Sequence, residues 1–167
     1  MVLIAFVGEL GSGKTLALTY LAWRNFNKGQ KIYANYTLAF VHTFIETLEQ
    51  IDGMEEGFFA ADELWSWLDS RLSSSKRNQT VNAILLKSRK RGINIGFTAQ
   101  HFSQIDKRVR NITDFIAIPQ LNANETECRL RVHQSTTGQL IRMYRFKTAP
   151  VFRMYSTNEE VKDLSWS

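Results

Sequence analysis

The chain of 167 residues reads as an α/β domain: a mostly parallel sheet flanked by helices, with an antiparallel β extension near its C-terminal end. Three observations carry that expectation. Short, mostly apolar runs at Val2–Val7, Gly57–Ala61 and Ile93–Ala99 suit strands buried on both faces. Helical patterns lie between such runs. After Pro119 the pattern changes to alternation of apolar and polar residues, which marks half-exposed antiparallel strands.

The elements follow in order. Val2–Val7 (VLIAFV) is a first strand ending at Gly8. Lys14–Asn27 is helical, with Leu16, Tyr20 and Trp23 at i, i+4 and i+7 and Asn27-Lys28-Gly29 as stop chemistry. Lys31–Asn35 is a second strand, and Thr43–Ile51 a short helix ended by Asp52-Gly53. Gly57–Ala61 is a third strand, running into Asp62-Glu63. Gln79–Lys90 is a helix closed by Gly92, and Ile93–Ala99 a fourth strand. Ser103–Arg110 is a short helix and Asp114–Pro119 a fifth strand. Arg129–His133, Leu140–Phe146 and Val151–Tyr155 form the antiparallel part, with Thr136–Gln139 as a hairpin turn. With two prolines and no Pro/Gly-rich linker, residues 1–167 read as a single domain.

Composition narrows the class. Hydrophobic residues are 44% and charged residues 22%, values that exclude a disordered or collagen-like chain. The lone Cys128 excludes a disulfide scaffold and a Cys-rich zinc cage, and it fits a reducing compartment. The longest apolar run is far short of the ~20 residues of a membrane helix, so a soluble, cytoplasmic protein is expected. The net charge of +5 is unevenly spread: Val41–Asp69 holds eight acids and no Lys or Arg, and Ser70–Ile105 seven basic residues and no acid. The basic block reads either as a polyanion footprint or as a solvated helix face.

Gly8-Glu9-Leu10-Gly11-Ser12-Gly13-Lys14-Thr15 fits G-x-x-x-x-G-K-[ST] at every fixed position. Gly8, Gly11 and Gly13 let backbone N–H groups turn inward toward an anion, Ser12 adds an amide, and the loop opens a helix whose N-terminus favours phosphate. Lys14 reaches the β- and γ-phosphates, and the Thr15 hydroxyl is a ligand for Mg²⁺. Asp62, at the tip of the GFFAA strand, supplies the carboxylate that holds Mg²⁺ in such a site, and Glu63 is the candidate general base on a water. Gln100 ends the Ile93–Ala99 strand, with Thr98 two residues before it. There it is placed to orient the attacking water or to sense the γ-phosphate.

Together these elements resemble the additional-strand class of P-loop ATPases, which includes RecA-like motors. The narrower resemblance is to the FtsK–HerA superfamily, and within it to Zot-like and viral genome-packaging ATPases. The residues that carry it are Asp62-Glu63 followed by Leu64–Arg71, the segment Ser88–Gln100 with its basic stretch, strand and T-x-Q tip, and Ile105–Asn111. A late strand at Phe152–Thr157 is similar to the way those domains close. The resemblance implies that Ile93–Ala99 lies between the P-loop strand and the Asp62 strand, that the nucleotide is ATP, and that the chain is an ATP hydrolase driving double-stranded DNA.

It also implies a homo-oligomeric ring, hexamer or pentamer, in which a neighbour's arginine acts in trans; Arg91 and Arg110 are the favoured candidates, with Arg89 beside them. Viral capsid or portal proteins are the partners implied. Filamentous-virus Zot proteins carry a membrane span and a further domain after the ATPase, which this chain does not show. That departure leans the expectation toward soluble packaging rather than membrane-coupled extrusion. The opposite charge of the two blocks points to a head-to-tail contact between subunits. Arg71, Lys76 and Arg77, in the polar stretch Arg71–Gln79, are candidate DNA-phosphate contacts lining a ring pore, or else part of a surface loop. Trp65 and Trp67 read as packing anchors rather than base-stacking platforms. A small-molecule kinase shares the P-loop and the size, but has no need of a water-activating Glu beside Asp62. An assembly factor that uses ATP as a switch is the third reading.

Overall fold

A computed structural model of the chain describes residues 2–64 and 76–158. Its strands form one eight-stranded sheet. They are β1 (Leu3–Val7), β2 (Ile32–Ala34), β3 (Thr43–Phe44), β4 (Gly57–Ala61), β5 (Ile93–Ala99), β6 (Phe115–Leu121), β7 (Glu127–Gln134) and β8 (Leu140–Lys147), in the order β3-β2-β4-β5-β1-β6-β7-β8. Pairing is parallel from β3 to β6 and antiparallel from β6 to β8. β5 lies between β4 and β1, the additional-strand position that the resemblance implies.

Helices cover both faces of the parallel part, which is why its strands are apolar on both sides. α1 (Lys14–Phe26) and α5 (Thr148–Phe152) lie on the face built from Phe6, Phe58 and Ala117. α2 (Leu48–Asp52), α3 (Lys76–Lys90) and α4 (Lys107–Ile112) lie on the opposite face, where Leu3, Phe59 and Phe97 meet Val81, Leu85 and Val109. Adjacent residues Phe58 and Phe59 point into the two different cores, as the strand period of two requires. Gly96 is where α1 sits closest to the sheet: a Cβ there would fall 2.7 Å from Leu18 and 3.0 Å from Phe6.

Four elements depart from the sequence expectation. Thr43–Ile51 is not one helix. Thr43–Phe44 pairs with β2, and the helix starts only after Thr47, whose side chain caps Gln50 N while the Gln50 side chain reaches back in a capping box. Ser103–Arg110 is likewise divided, into a 3-10 turn (Phe102–Gln104) and α4. Asp106 sets the break by capping Arg108 N at 2.8 Å. Val151–Tyr155 is not a strand, nor is Phe152–Thr157. Residues 148–152 form α5 with Pro150 in its first turn, where no helical N–H is needed, and of the expected strand only an isolated bridge from Tyr155 to Leu38 remains. The α1 stripe is also broader than expected. Leu16, Ala17, Leu18, Thr19 and Ala22 are buried, while Tyr20 and Trp23 are half-buried. The helix is clamped on a second side by the extension, where the Tyr20 ring stacks on Phe146 at 3.8 Å.

β6 continues past Pro119 to Leu121. Its ladder to β1 ends at Ala117, so that ladder does not need the missing proline N–H. Cys128 is buried in β7, and burial pushes its thiol up to about 11, so it is a packing residue. Among the described residues no helix is long and apolar enough to cross a membrane.

Gly96→Ala is expected to destabilise the fold by about 1–3 kcal/mol through overpacking against Leu18 and Phe6. Urea unfolding measures this; an unchanged midpoint would show that α1 is free to shift away from β5.

Candidate active site

The site forms at the C-terminal ends of β1, β4 and β5. β1 delivers the chain into the glycine loop, where Gly8 N donates to the Gln100 carbonyl at 3.3 Å. Gly11 and Gly13 hold φ values of +78° and +93°, a region open to glycine at little cost. Gly13 is the residue before α1 and brings no side-chain cap, so the first N–H groups of this 13-residue helix face the loop's concavity. Gly8 and Ser12 close the back of the loop: a Cβ on Gly8 would fall 2.5 Å from Ser12 Oγ. Lys14 Nζ donates to the carbonyls of Gly8 and Glu9, each at 2.8 Å. Burial lowers the Lys14 pKa, against the opposing pull of Asp62, Glu9 and Glu63.

Asp62 is the hub. Thr15 Oγ1 lies 3.0 Å from both of its carboxylate oxygens, and Thr98 Oγ1 donates to Oδ1 at 2.8 Å. The same Thr98 oxygen accepts from Glu63 N at 2.8 Å. Asn35, one residue past β2, clamps the Asp62 main chain: its Nδ2 donates to Asp62 O and its Oδ1 accepts from Asp62 N, both at 2.7 Å. Burial pushes the Asp62 carboxyl above the usual carboxylate range, and the Thr98 and Thr15 hydroxyls act in the opposite direction. A hydroxyl and a carboxylate side by side make a hard-oxygen donor pair that fits Mg²⁺, which takes one or two protein ligands together with phosphate oxygens. Among the described residues no cluster of three His, Cys, Asp or Glu exists for any other metal centre.

Glu63 has φ +52°, unusual for a non-glycine residue, so the chain turns sharply after Asp62 and leaves Glu63 exposed. A cavity of about 350 Å³ opens over this cluster, lined by Gly11, Gly13, Lys14, Thr15, Asp62, Glu63, Thr98 and Gln100. The rest of its wall is absent from the sequence expectation. Leu121 packs on Gly13, Glu125 comes from the β6–β7 turn, Phe152 ends α5 and Tyr155 follows it. Tyr155 packs edge-on against Tyr36, whose hydroxyl lies 2.9 Å from Thr19 Oγ1. No motif marks these residues. Asn35 alone had a legible signal, a polar amide just past an apolar strand, the same signal that identified Gln100.

The expected arginines stand elsewhere. Arg91 follows α3 at the N-terminal end of β5, the far end of the sheet from the cavity, 3.8 Å from Asp52. Arg89 pairs with Asp114 at 3.0 Å and donates to the Ile112 carbonyl. Arg110 lies in the last turn of α4. Among the described residues none of the three lines the cavity. Arg71, Trp65 and Trp67 lie outside the described residues, as do the side chains of Lys76 and Arg77. Part of the charge contrast between the two blocks is used within the chain: Asp52 of α2 lies 3.5 Å from Lys87 of α3 and also faces Arg91.

The family model described as Zonular occludens toxin (Zot) matches residues 37–118. The "Gene 1 protein" of Salmonella phage IKe is 29% identical over 137 residues, covering 66% of this chain and 38% of that protein. The matched segment thus spans well under half of that relative's length. Among solved structures, the N-terminal domain of zonular occludens toxin from Neisseria meningitidis superposes with a TM-score of 0.63 at 18% identity, over 93% of this chain and 99% of that one. The genome packaging NTPase B204 of Sulfolobus turreted icosahedral virus 2, in complex with ATP-gammaS, superposes at 0.61 and 9% identity, over 86% and 96%. The chain is therefore similar to Zot-like proteins and shares its RecA-like P-loop fold with a viral packaging NTPase.

Thr98→Val removes the hydroxyl that serves both Asp62 and Glu63 N, and a cost of about 1–3 kcal/mol is expected from the buried groups left unpaired. Thr98→Ser should stay near the parent. Chemical denaturation of the two variants separates the hydroxyl from the methyl.

Proposed function

We propose that this chain is the ATPase domain of a viral motor that hydrolyses ATP with Mg²⁺ and moves double-stranded DNA, packaging a genome in the cytoplasm of a host cell. The observation that carries the reading is the Lys14–Thr15–Asp62–Thr98 cluster at the ends of parallel strands, facing Glu63 and Gln100 across one cavity. The triphosphate lies on the loop amides and the α1 N-terminus. Lys14 exchanges its two loop carbonyls for phosphate oxygens. Thr15 and Asp62 would hold Mg²⁺, which would neutralise phosphate charge when bound. Glu63 accepts a proton from the attacking water while Gln100 orients that water. The base lies against Leu121 and Phe152, the apolar part of the wall.

The site contains Asp62, Glu63 and Glu125, with Lys14 as the one cation among its described lining residues. A further cation from a neighbouring copy would complete it, which supports a ring. Arg110 and Arg91 are the candidates to supply it, the latter by leaving Asp52. A second reading is favoured by the Zot family-model match: a virion-assembly ATPase that works with a separate membrane-bound partner. The site chemistry is the same in both; a requirement for DNA separates them. A small-molecule kinase is disfavoured by Glu63, which has no role where water must be kept from the phosphate.

Hydrolysis measured against protein concentration, with and without duplex DNA, tests the motor: turnover should rise with both and fall with salt. Glu63→Gln should bind ATP as the parent does and hydrolyse it about 10²–10⁴-fold more slowly; parent-like turnover would remove Glu63 as the base. Arg91→Ala or Arg110→Ala should regain turnover when mixed with Lys14→Ala subunits if the arginine acts in trans. Phe152→Ala should weaken ATP while leaving inorganic tripolyphosphate unaffected, as calorimetry would show; equal losses for both ligands would mean that Phe152 only shapes the loop.

A further inference from the structure

Residues 126–153 hold six basic residues (Arg129, Arg131, Arg142, Arg145, Lys147 and Arg153) against one acid, Glu127, a surplus equal to the net +5 of the whole chain. The β7–β8 register orders this charge. Arg129 stands directly opposite Arg145, Arg131 opposite Met143, and Glu127 opposite Lys147. Directly opposed residues share a face at about 5 Å, and residues two apart along a strand share it as well. Arg129, Arg131 and Arg145 therefore stand together on one face of the extension. β6 continues that face with Gln120 beside Arg129 and Ile118 beside Arg131. The opposite face carries Cys128, Leu130 and Phe146 into the α1 core.

Opposed like charges weaken a strand pair, so Arg129 and Arg145 cost the hairpin stability. Among the described residues neither is in an ion pair, and Glu127 bridges none of the three arginines. Arg129 and Arg145 are exposed, and Arg131 Nε is buried without a hydrogen bond. Guanidinium groups fixed on a rigid sheet, at spacings of about 5–8 Å across two strands, match a repeated anion better than a single one. We infer that the Arg129–Arg131–Arg145 face of the antiparallel extension is a nucleic-acid surface that grips the phosphate backbone without reading sequence. The choice of DNA as partner rests on the motor reading; the surface itself rests on the charge geometry. In sequence it lies apart from the Arg71–Gln79 stretch.

The test is anisotropy titration of a fluorescent duplex DNA with the full chain, without nucleotide, across a salt series. Arg129→Ala and Arg145→Ala should each weaken binding several-fold and lower the slope of log affinity against log salt by about 0.9. Arg142→Ala is the control, since Arg142 sits on the same strand with the same charge but on the other face, over the Tyr144 ring at 5.3 Å. It should bind as the parent does. Arg145→Ala should also melt no lower than the parent, because it relieves a repulsion, so lost binding would not be lost folding. Equal effects of all three variants would reduce the surface to bulk charge and overturn the inference. So would no binding at low salt, preference for anionic vesicles over DNA, or unchanged binding with hydrolysis lost, which would assign the arginines to a neighbouring copy's triphosphate. Nucleotide binding and hydrolysis measured without DNA report on the motor reading separately.

Discussion

The Asp62 carboxylate is the constraint around which the molecule is arranged. Thr15 of α1 and Thr98 of β5 converge on its oxygens, and Asn35 beyond β2 holds both of its peptide groups. One residue thus ties a helix and three strands at the end of the sheet where the cavity opens. A buried carboxylate is costly unless it is satisfied, and these partners satisfy it. Thr98 reaches Asp62 because β5 lies directly beside β4. Glu63 follows from the clamp, because its N–H is held by Thr98 while the backbone turns to φ +52° and sends its side chain toward the cavity.

What was legible in the sequence was whatever has a period or a motif. β5 runs over Ile93–Ala99 as its apolar pattern says, and the glycine loop, Asp62, Glu63 and Gln100 meet around one cavity. Illegible were the choices that depend on distant partners. Thr43–Phe44 is a strand only because β2 offers an edge; its own residues suit the start of a helix equally well. Residues 151–155 alternate like a strand, yet Val151 and Phe152 end a short helix instead, and Phe152 and Tyr155 wall the cavity. Where a capping residue marked the boundary, as Thr47 and Asp106 do, the signal was present but lay inside a longer helical pattern. Residues that shape the pocket through packing, such as Leu121, carry no sequence signature.

Charge patterning misleads in a similar way. The acidic and basic blocks are the conspicuous feature of the linear chain, but Asp52 facing Lys87 and Arg91 shows opposite charges placed side by side when α2 packs on α3. Exposed pairs of this kind contribute little stability, yet they take charge out of the outward-facing field. The less conspicuous arginines of β7 and β8 are in no ion pair among the described residues.

The place of β1 has a consequence for how the molecule is made. It precedes the other described strands in sequence, yet its partners are β5 and β6, and Phe6 is not flanked on both sides until Ala117 has been added. The apolar VLIAFV segment must wait, unpaired on both edges, until β5 emerges, and on one edge until β6 follows. Pairings of such long sequence separation form slowly and leave intermediates open to association. The α1 helix, with Leu16 and Leu18 close behind β1 in sequence, is the one element that can shelter that segment early. The glycine loop joining them is therefore an early folding connection as well as the proposed phosphate site.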